Sequence, residues 1–299
     1  MNEMMIQEAV LDSVDQIELS EIFSEGAVIL ALSDAYVKSL LIQEGSDTVS
    51  FDGSVMIQEG KDDSGDASEG EAPAEGDSDA ASGQKKGSKF LGKMKEMPSK
   101  IIEYIKKALL AIANFLQKNI GKFVIKNITV TSDKTDVMAA MKKAGCKLTG
   151  VDKDSNNNTV YSVAWPTIDY AEVTKYIESV DAQSLNYSNF GSFFDRIVKA
   201  TQKDYTSPTP FEGASECARA LKKAAAMCDN QLSELKKTIT SDQATGKEST
   251  AVNAQHANAL KNAANNASIA LKNVTEGYKK TMDAYKAYKS YYKSSKQPS

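Results

Sequence analysis

The residues whose types and spacing point to chemistry form a short pattern near the start of the chain. An apolar residue, then Ile-Gln-Glu, then a small residue occurs three times: Met5-Ile6-Gln7-Glu8-Ala9, Leu41-Ile42-Gln43-Glu44-Gly45 and Met56-Ile57-Gln58-Glu59-Gly60. The chemistry this suits is peptide-bond hydrolysis with the chain as substrate. An aliphatic side chain two residues ahead of the Glu fills an apolar pocket. The carboxylate pairs with a fixed cation or donor, and Gly or Ala after the bond lets a protease backbone approach closely. Looser copies at Ser24-Glu25-Gly26, Ser68-Glu69-Gly70 and Ala74-Glu75-Gly76 share the Glu-Gly step. The full copies lie 36 and then 15 residues apart, an irregularity that fits an address better than a structural repeat. Ile-Gln-Glu is also an ordinary helix segment of an acidic stretch, the alternative reading of the same residues.

Chemistry performed by the chain itself finds little support. His256 is the only histidine and sits in an alanine-rich segment. No second histidine is present to complete a metal site, and no glycine-rich phosphate loop occurs, so neither a metal nor another cofactor is expected. Cys146, Cys217 and Cys228 are odd in number and lack metal-like spacing. They read as reduced thiols used for packing. Pairing Cys217 or Cys228 with His256 is the one nucleophile–base arrangement the inventory allows, and nothing local activates either thiol. Asp152 and Asp154 precede a run of asparagines but lack the spaced ligands and terminal Glu of a calcium loop. A non-enzyme is expected.

Charge divides the chain. Residues 1–84 hold 20 acids against two lysines, a net of −18, and residues 85–299 hold 20 acids against 34 bases, a net of +14. A cut after Glu59 leaves a product of net +7, and one after Glu75 a product of net +12. An acidic leading region thus offsets a basic remainder that suits phosphate. An acidic tail kept for solubility fits the same numbers if no cut occurs. The start carries Glu3 and Glu8 and no basic stretch, unlike a secretory signal. No apolar run approaches the roughly 20 residues of a spanning helix.

Five stretches follow from composition and periodicity. Residues 1–44 have apolar positions at helical spacing, for one or two helices broken near Gly26. Residues 45–88 are Gly, Ser, Asp, Glu and Ala with few large apolar residues, the composition of a disordered acidic linker. Residues 89–122 read as a basic amphipathic helix starting near Pro98, with Ile101, Ile102, Ile105, Leu109, Ile112, Leu116 and Ile120 along one side. Its lysines, among them Lys93, Lys100, Lys106 and Lys107, suit an anionic membrane surface or DNA; equally, the stripe packs inward and the lysines face water. Residues 123–180 read as a small β-α-β-β-α module: a strand at Phe123–Thr131, a helix stopped by Gly145, two strands around Lys153–Asn158 with Pro166 closing the second, and a helix capped by Asp169. Trp165, the only tryptophan, belongs to the core. Residues 181–299 are helical, with a break at Ser207–Pro210. Two long 3–4 stripes, from Leu221 to Ile239 and from Leu260 to Tyr285, predict a long antiparallel helical hairpin. The end interleaves Tyr285, Tyr288 and Tyr292 with Lys286 and Lys289, a combination that stacks bases and contacts phosphate, or else packs its tyrosines on the body. The fold class is therefore α+β and mostly α.

The Ile-Gln-Glu-small pattern resembles the sites cut by prohead maturation proteases of tailed bacteriophages, which take an aliphatic residue, any residue and Glu before a small residue. The layout of acidic N-terminus, low-complexity linker, lysine-rich helix and helical body is similar to that of internal virion proteins of large tailed phages. That resemblance implies a precursor trimmed by a maturation protease, capsid or other virion proteins as neighbours, DNA as a partner, and a place in the capsid interior after assembly in the host cytoplasm. Two alternatives stay open: a membrane-active or host-directed effector working through the basic amphipathic helix, and an unprocessed scaffold.

Overall fold

A computed structural model describes residues 2–43, 96–120, 125, 128–180, 189–244 and 253–294. Side chains are described for 19–41, 96–119, 125, 128–180, 189–237 and 253–290. The expected linker at 45–88 lies outside these residues.

The protein is mostly helical, with a small antiparallel sheet. α1 (Asn2–Gln43) is followed by α2 (Met97–Ile120), β1 (Thr129–Thr131), α3 (Thr135–Lys143), β2 (Lys147–Lys153) and β3 (Thr159–Thr167). α4 (Tyr170–Glu178), α5 (Phe190–Gln202), β4 (Tyr205–Ser207), α6 (Ala214–Ala244) and α7 (Ala254–Ser294) complete the order.

α2 is the centre of the molecule. Pro98 stands in its first turn, where its missing N–H costs nothing. Ile101, Ile102, Ile105, Leu109, Ile112 and Leu116 are buried under α1, α6 and α7. These three neighbours enclose the apolar stripe on several sides.

Among the described residues the expected packing of α6 on α7 as a hairpin is not found. Both helices lie along α2 and make at most glancing contact with each other among the described residues. The stripe of α6 (Leu221, Ala225, Cys228, Leu232 and Leu235) is buried. The α6–α2 contact is the most extensive among the described residues, and Lys106–Asp229 and Lys222–Gln117 bonds cross it. α7 turns its small residues Ala257, Ala263, Ala264, Ala267 and Ala270 inward, where α5, α2 and α1 approach it closely. The 3–4 period fixes which face is buried. It does not choose the partner, and the broader apolar face of α2 wins.

α1 runs through Gly26 without a break. Its inward positions are Leu19, Ile22, Phe23, Gly26, Ile29, Leu30, Ser33, Tyr36, Val37 and Leu40, a 3–4 stripe with two small residues near its middle. Glycine here serves close approach: an added Cβ would lie 2.2 Å from the Tyr104 Oη. Packing against α2 and α7 outweighs the roughly 1 kcal/mol helix penalty of glycine.

The sheet runs β1-β3-β2, all antiparallel, and β4 pairs with the far end of β3. Of the expected strand Phe123–Thr131, β1 takes Thr129–Thr131, the Ile128 carbonyl accepts from Val163 N–H of β3 at 3.0 Å, and residues 123, 124, 126 and 127 lie outside the described residues. β3 continues past Pro166 to Thr167 because β4, which periodicity did not reveal, meets it there. A bulge between Gly150 and Asp152 turns Val151 out to 58 % exposure. In the β2–β3 loop Asp154 accepts from the backbone N–H groups of Asn156 (2.9 Å) and Asn158 (2.8 Å), and Asn157 takes a positive φ of 62°. Asp169 caps α4 by accepting from Glu172 N–H at 3.0 Å. Trp165 is fully buried, edge-on to Tyr285 and Tyr288 of α7. Thr281 of α7 donates to the Pro166 carbonyl at 2.5 Å. Sheet and helices thus share one continuous core.

Candidate functional site

The acidic α1 rests on basic positions of the body. Lys107 of α2 meets Glu25 at 2.7 Å, and Lys261 of α7 meets Asp34 at 2.5 Å. Lys38 adds a second cation to Asp34 at 3.2 Å, one turn along α1. The Lys261 hydrogen bond, with Lys38 behind it, holds the Asp34 carboxyl below the usual carboxylate range. Between these two links lie Gly26, Ile29 and Ser33, all buried. The polar Ser33 hydroxyl is satisfied by its own helix, donating to the Ile29 carbonyl at 2.5 Å. The interface is therefore an apolar seam with charge pairs along it.

The lysines singled out by sequence fall into two groups. Those on α2 are engaged: Lys100 with Glu96 at 3.4 Å, Lys106 with Asp229 at 2.6 Å, and Lys107 with Glu25. Those on α7 face outward: Lys286 and Lys289 are exposed, and the Lys289 Nζ lies 4.7 Å from the centre of the Tyr285 ring. The interleaved tyrosines part company with them. Tyr285 and Tyr288 are half-buried, each meeting Trp165 edge to face, while Lys286 and Lys289 line the solvent side. Tyr292 lies in the last turns of α7, beyond the described side chains, and Lys93 lies outside the described residues.

Of the cleavage motifs, Ile6, Glu8 and Ile42 lie within α1. A protease that takes extended substrate must unwind that helix to use the first copy. Glu44, Gly45, Ile57, Glu59, Gly60, Glu69 and Glu75 lie outside the described residues.

The apolar stripe of α2, which a bilayer would need to reach, is covered in this conformation. Among the described residues no helix is long and apolar enough to cross a membrane. No group of three or more His, Cys, Asp or Glu side chains among them is placed to hold a metal ion.

The thiols are set for packing. Burial pushes Cys146 up to about 11, and Cys217 and Cys228 up to about 12. Cys217 lies near Tyr170 and Thr174 of α4, and the Cys228 Sγ points to the Ala224 carbonyl at 3.7 Å. A cleft of about 390 Å³ opens between β4, α4 and the start of α6, bordered by Asp169, Glu212 and Glu216. Each of these carboxylates already has a local partner: Asp169 the Glu172 N–H, Glu212 the Thr209 hydroxyl, and Glu216 Arg219 at 2.8 Å.

Compared with protein-family models, curated proteins and solved structures, the chain matches none.

Proposed function

We propose that this is an internal virion protein of a tailed bacteriophage, made as a precursor whose acidic N-terminal region is severed from a basic body by the maturation protease. The body is packaged with DNA. The observation that carries this reading is the docking of acidic α1 on body lysines: Glu25 on Lys107 and Asp34 on Lys261. Those carboxylates neutralise two body lysines, so the acidic helix and the basic body are electrostatic partners within the precursor. The cleavage motifs at Glu44, Glu59, Glu69 and Glu75 fall between the acidic helix and the basic body, where a cut separates the two in sequence. The exposed Lys286 and Lys289 supply cations on the opposite end of the chain.

An effector that works through the α2 stripe would first have to strip α1, α6 and α7 from it, which makes a membrane role the weaker reading.

Protease protection of purified particles tests the location. The protein stays intact when protease is added to whole particles and is degraded after their rupture. Degradation in whole particles contradicts an internal position.

A further inference from the structure

We propose that the groove between α2 and α7 is a helix-binding site whose ligand is α1, held without the covalent link. Cutting the chain between Gln43 and Glu96 then yields a two-chain complex. This deepens the precursor reading above and rests on it only for the identity of the natural protease.

Three features of the interface carry the inference. The contact is long: inward positions run from Leu19 to Leu41 on α1, with Ile29, Tyr36 and Val37 buried outright. It is shaped: Gly26 leaves a notch that the Tyr104 ring fills, and Ser33 is a second small position one heptad on. It is charge-matched at two separated points, Glu25 with Lys107 and Asp34 with Lys261. Small residues set in an apolar 3–4 stripe with flanking charge pairs are the means by which separate helices recognise each other. The contacts named here join α1 to Tyr104 and Lys107 of α2 and to Lys261 of α7, and none of them involves a residue of 44–95.

The consequence for charge is specific. If α1 leaves with the severed region, the body from Gly76 carries +12. If α1 stays and only residues 45–75 are lost, nine acids and one lysine go, and the complex carries +4. Maturation would then act by removing the acidic connector, with α1 retained as a separate chain that covers the apolar groove.

The test uses the full chain with a recognition sequence for an added, sequence-specific protease inserted between Gly60 and Lys61. Because the cut does not depend on the natural protease, this result and the fate of the precursor reading are separable. After cutting, size-exclusion chromatography is run at low salt and at about 1 M salt, where screening shortens to about 3 Å. The N-terminal fragment is expected to co-elute with residues 61–299 in both, since the apolar seam dominates the half-exposed ion pairs. Elution of the fragment on its own at low salt overturns the proposal. A second chain carrying Gly26→Val is cut in parallel, and the near-ultraviolet signal of Trp165 reports that its body is intact. The fragment is expected to dissociate about tenfold or more faster, from overpacking against Tyr104. Unchanged retention would mean that the groove is not the binding site.

Discussion

Gly26 of α1 and Tyr104 of α2 meet backbone against ring, so closely that an added Cβ would lie 2.2 Å from the tyrosine Oη and 2.6 Å from its Cζ. On an exposed helix face, Gly26→Ala would stabilise by up to about 1 kcal/mol. Here the sign reverses: the substitution is expected to cost about 1–3 kcal/mol through overpacking. Tyr104→Leu in the Gly26→Ala background is expected to recover part of that loss. Denaturant unfolding of the two single variants and the double reads the coupling. Additive effects would mean that the two residues do not share one space.

Asp34 ties α1 to α7 through Lys261. Its folded-state pKa is depressed, mainly by the Lys261 hydrogen bond and then by Lys38. The unfolded state therefore binds the proton more readily. The stabilising contribution is present above the unfolded value of about 3.9 and is lost as pH falls through the folded value. The carboxylate is partly exposed, so screening keeps the effect small. Carbon-detected NMR titration is expected to find Asp34 below the ordinary range, returning toward it in Lys261→Met. A normal Asp34 titration in the parent protein would contradict the contact.

Cys146, Cys217 and Cys228 are buried, with thiols pushed well above neutrality. Thiolate is the reactive form. In the folded protein an aromatic disulfide reagent at mildly alkaline pH is expected to modify none of the three within the time that labels the denatured chain fully. Fast labelling of one thiol would mean that its neighbouring helix opens.

Lys286 and Lys289 are exposed, whereas Lys106 and Lys107 are already paired. If the body contacts DNA, Lys286→Ala and Lys289→Ala are each expected to reduce the salt slope of binding by about 1. Lys106→Ala is expected to change the slope less and stability more, because it strips Asp229 of its partner. The reverse ranking in a salt titration would move the DNA-binding surface to α2.

Asp154 closes the β2–β3 turn through the N–H groups of Asn156 and Asn158. Asp154→Ala is expected to lower the thermal midpoint, because the loop loses the bonds that the carboxylate accepts from the Asn156 and Asn158 N–H groups and from the Asn158 side-chain amide. Thermal unfolding measures it, and an unchanged midpoint would show the turn to be held by its backbone bonds, Asp154 N–H to the Asn158 carbonyl and Asn157 N–H to the Asp154 carbonyl.

Much of this architecture was legible because local signals agree with it. Pro98 marks the start of α2, Gly145 (φ 87°) follows the end of α3, and Asp169 caps α4. The buried stripes of α2, α5 and α6 follow their 3–4 periods. What periodicity leaves open is which stripes meet. The stripes of α6 and α7 match each other in phase, yet both pack on α2, which offers apolar residues on several sides. Gly26 reads as a helix break when only its propensity is counted, and its true role depends on Tyr104, 78 positions away. β4 is three residues long, too short for an alternating pattern to show. At the candidate site, the lysines of α2 were visible as a basic face, but their engagement by Glu25 and Asp229 depends on tertiary placement. The stripe that ends at Tyr285 marks an inward-facing tyrosine, but its meeting with Trp165, like that of Tyr288, depends on tertiary placement.

The precursor reading is tested most directly by peptide mapping of the protein's termini in mature particles. A new N-terminus at Gly45, Gly60, Gly70 or Gly76 is the predicted result. A chain beginning at Met1 or Asn2 and continuous through residues 44–96 in those particles would contradict it.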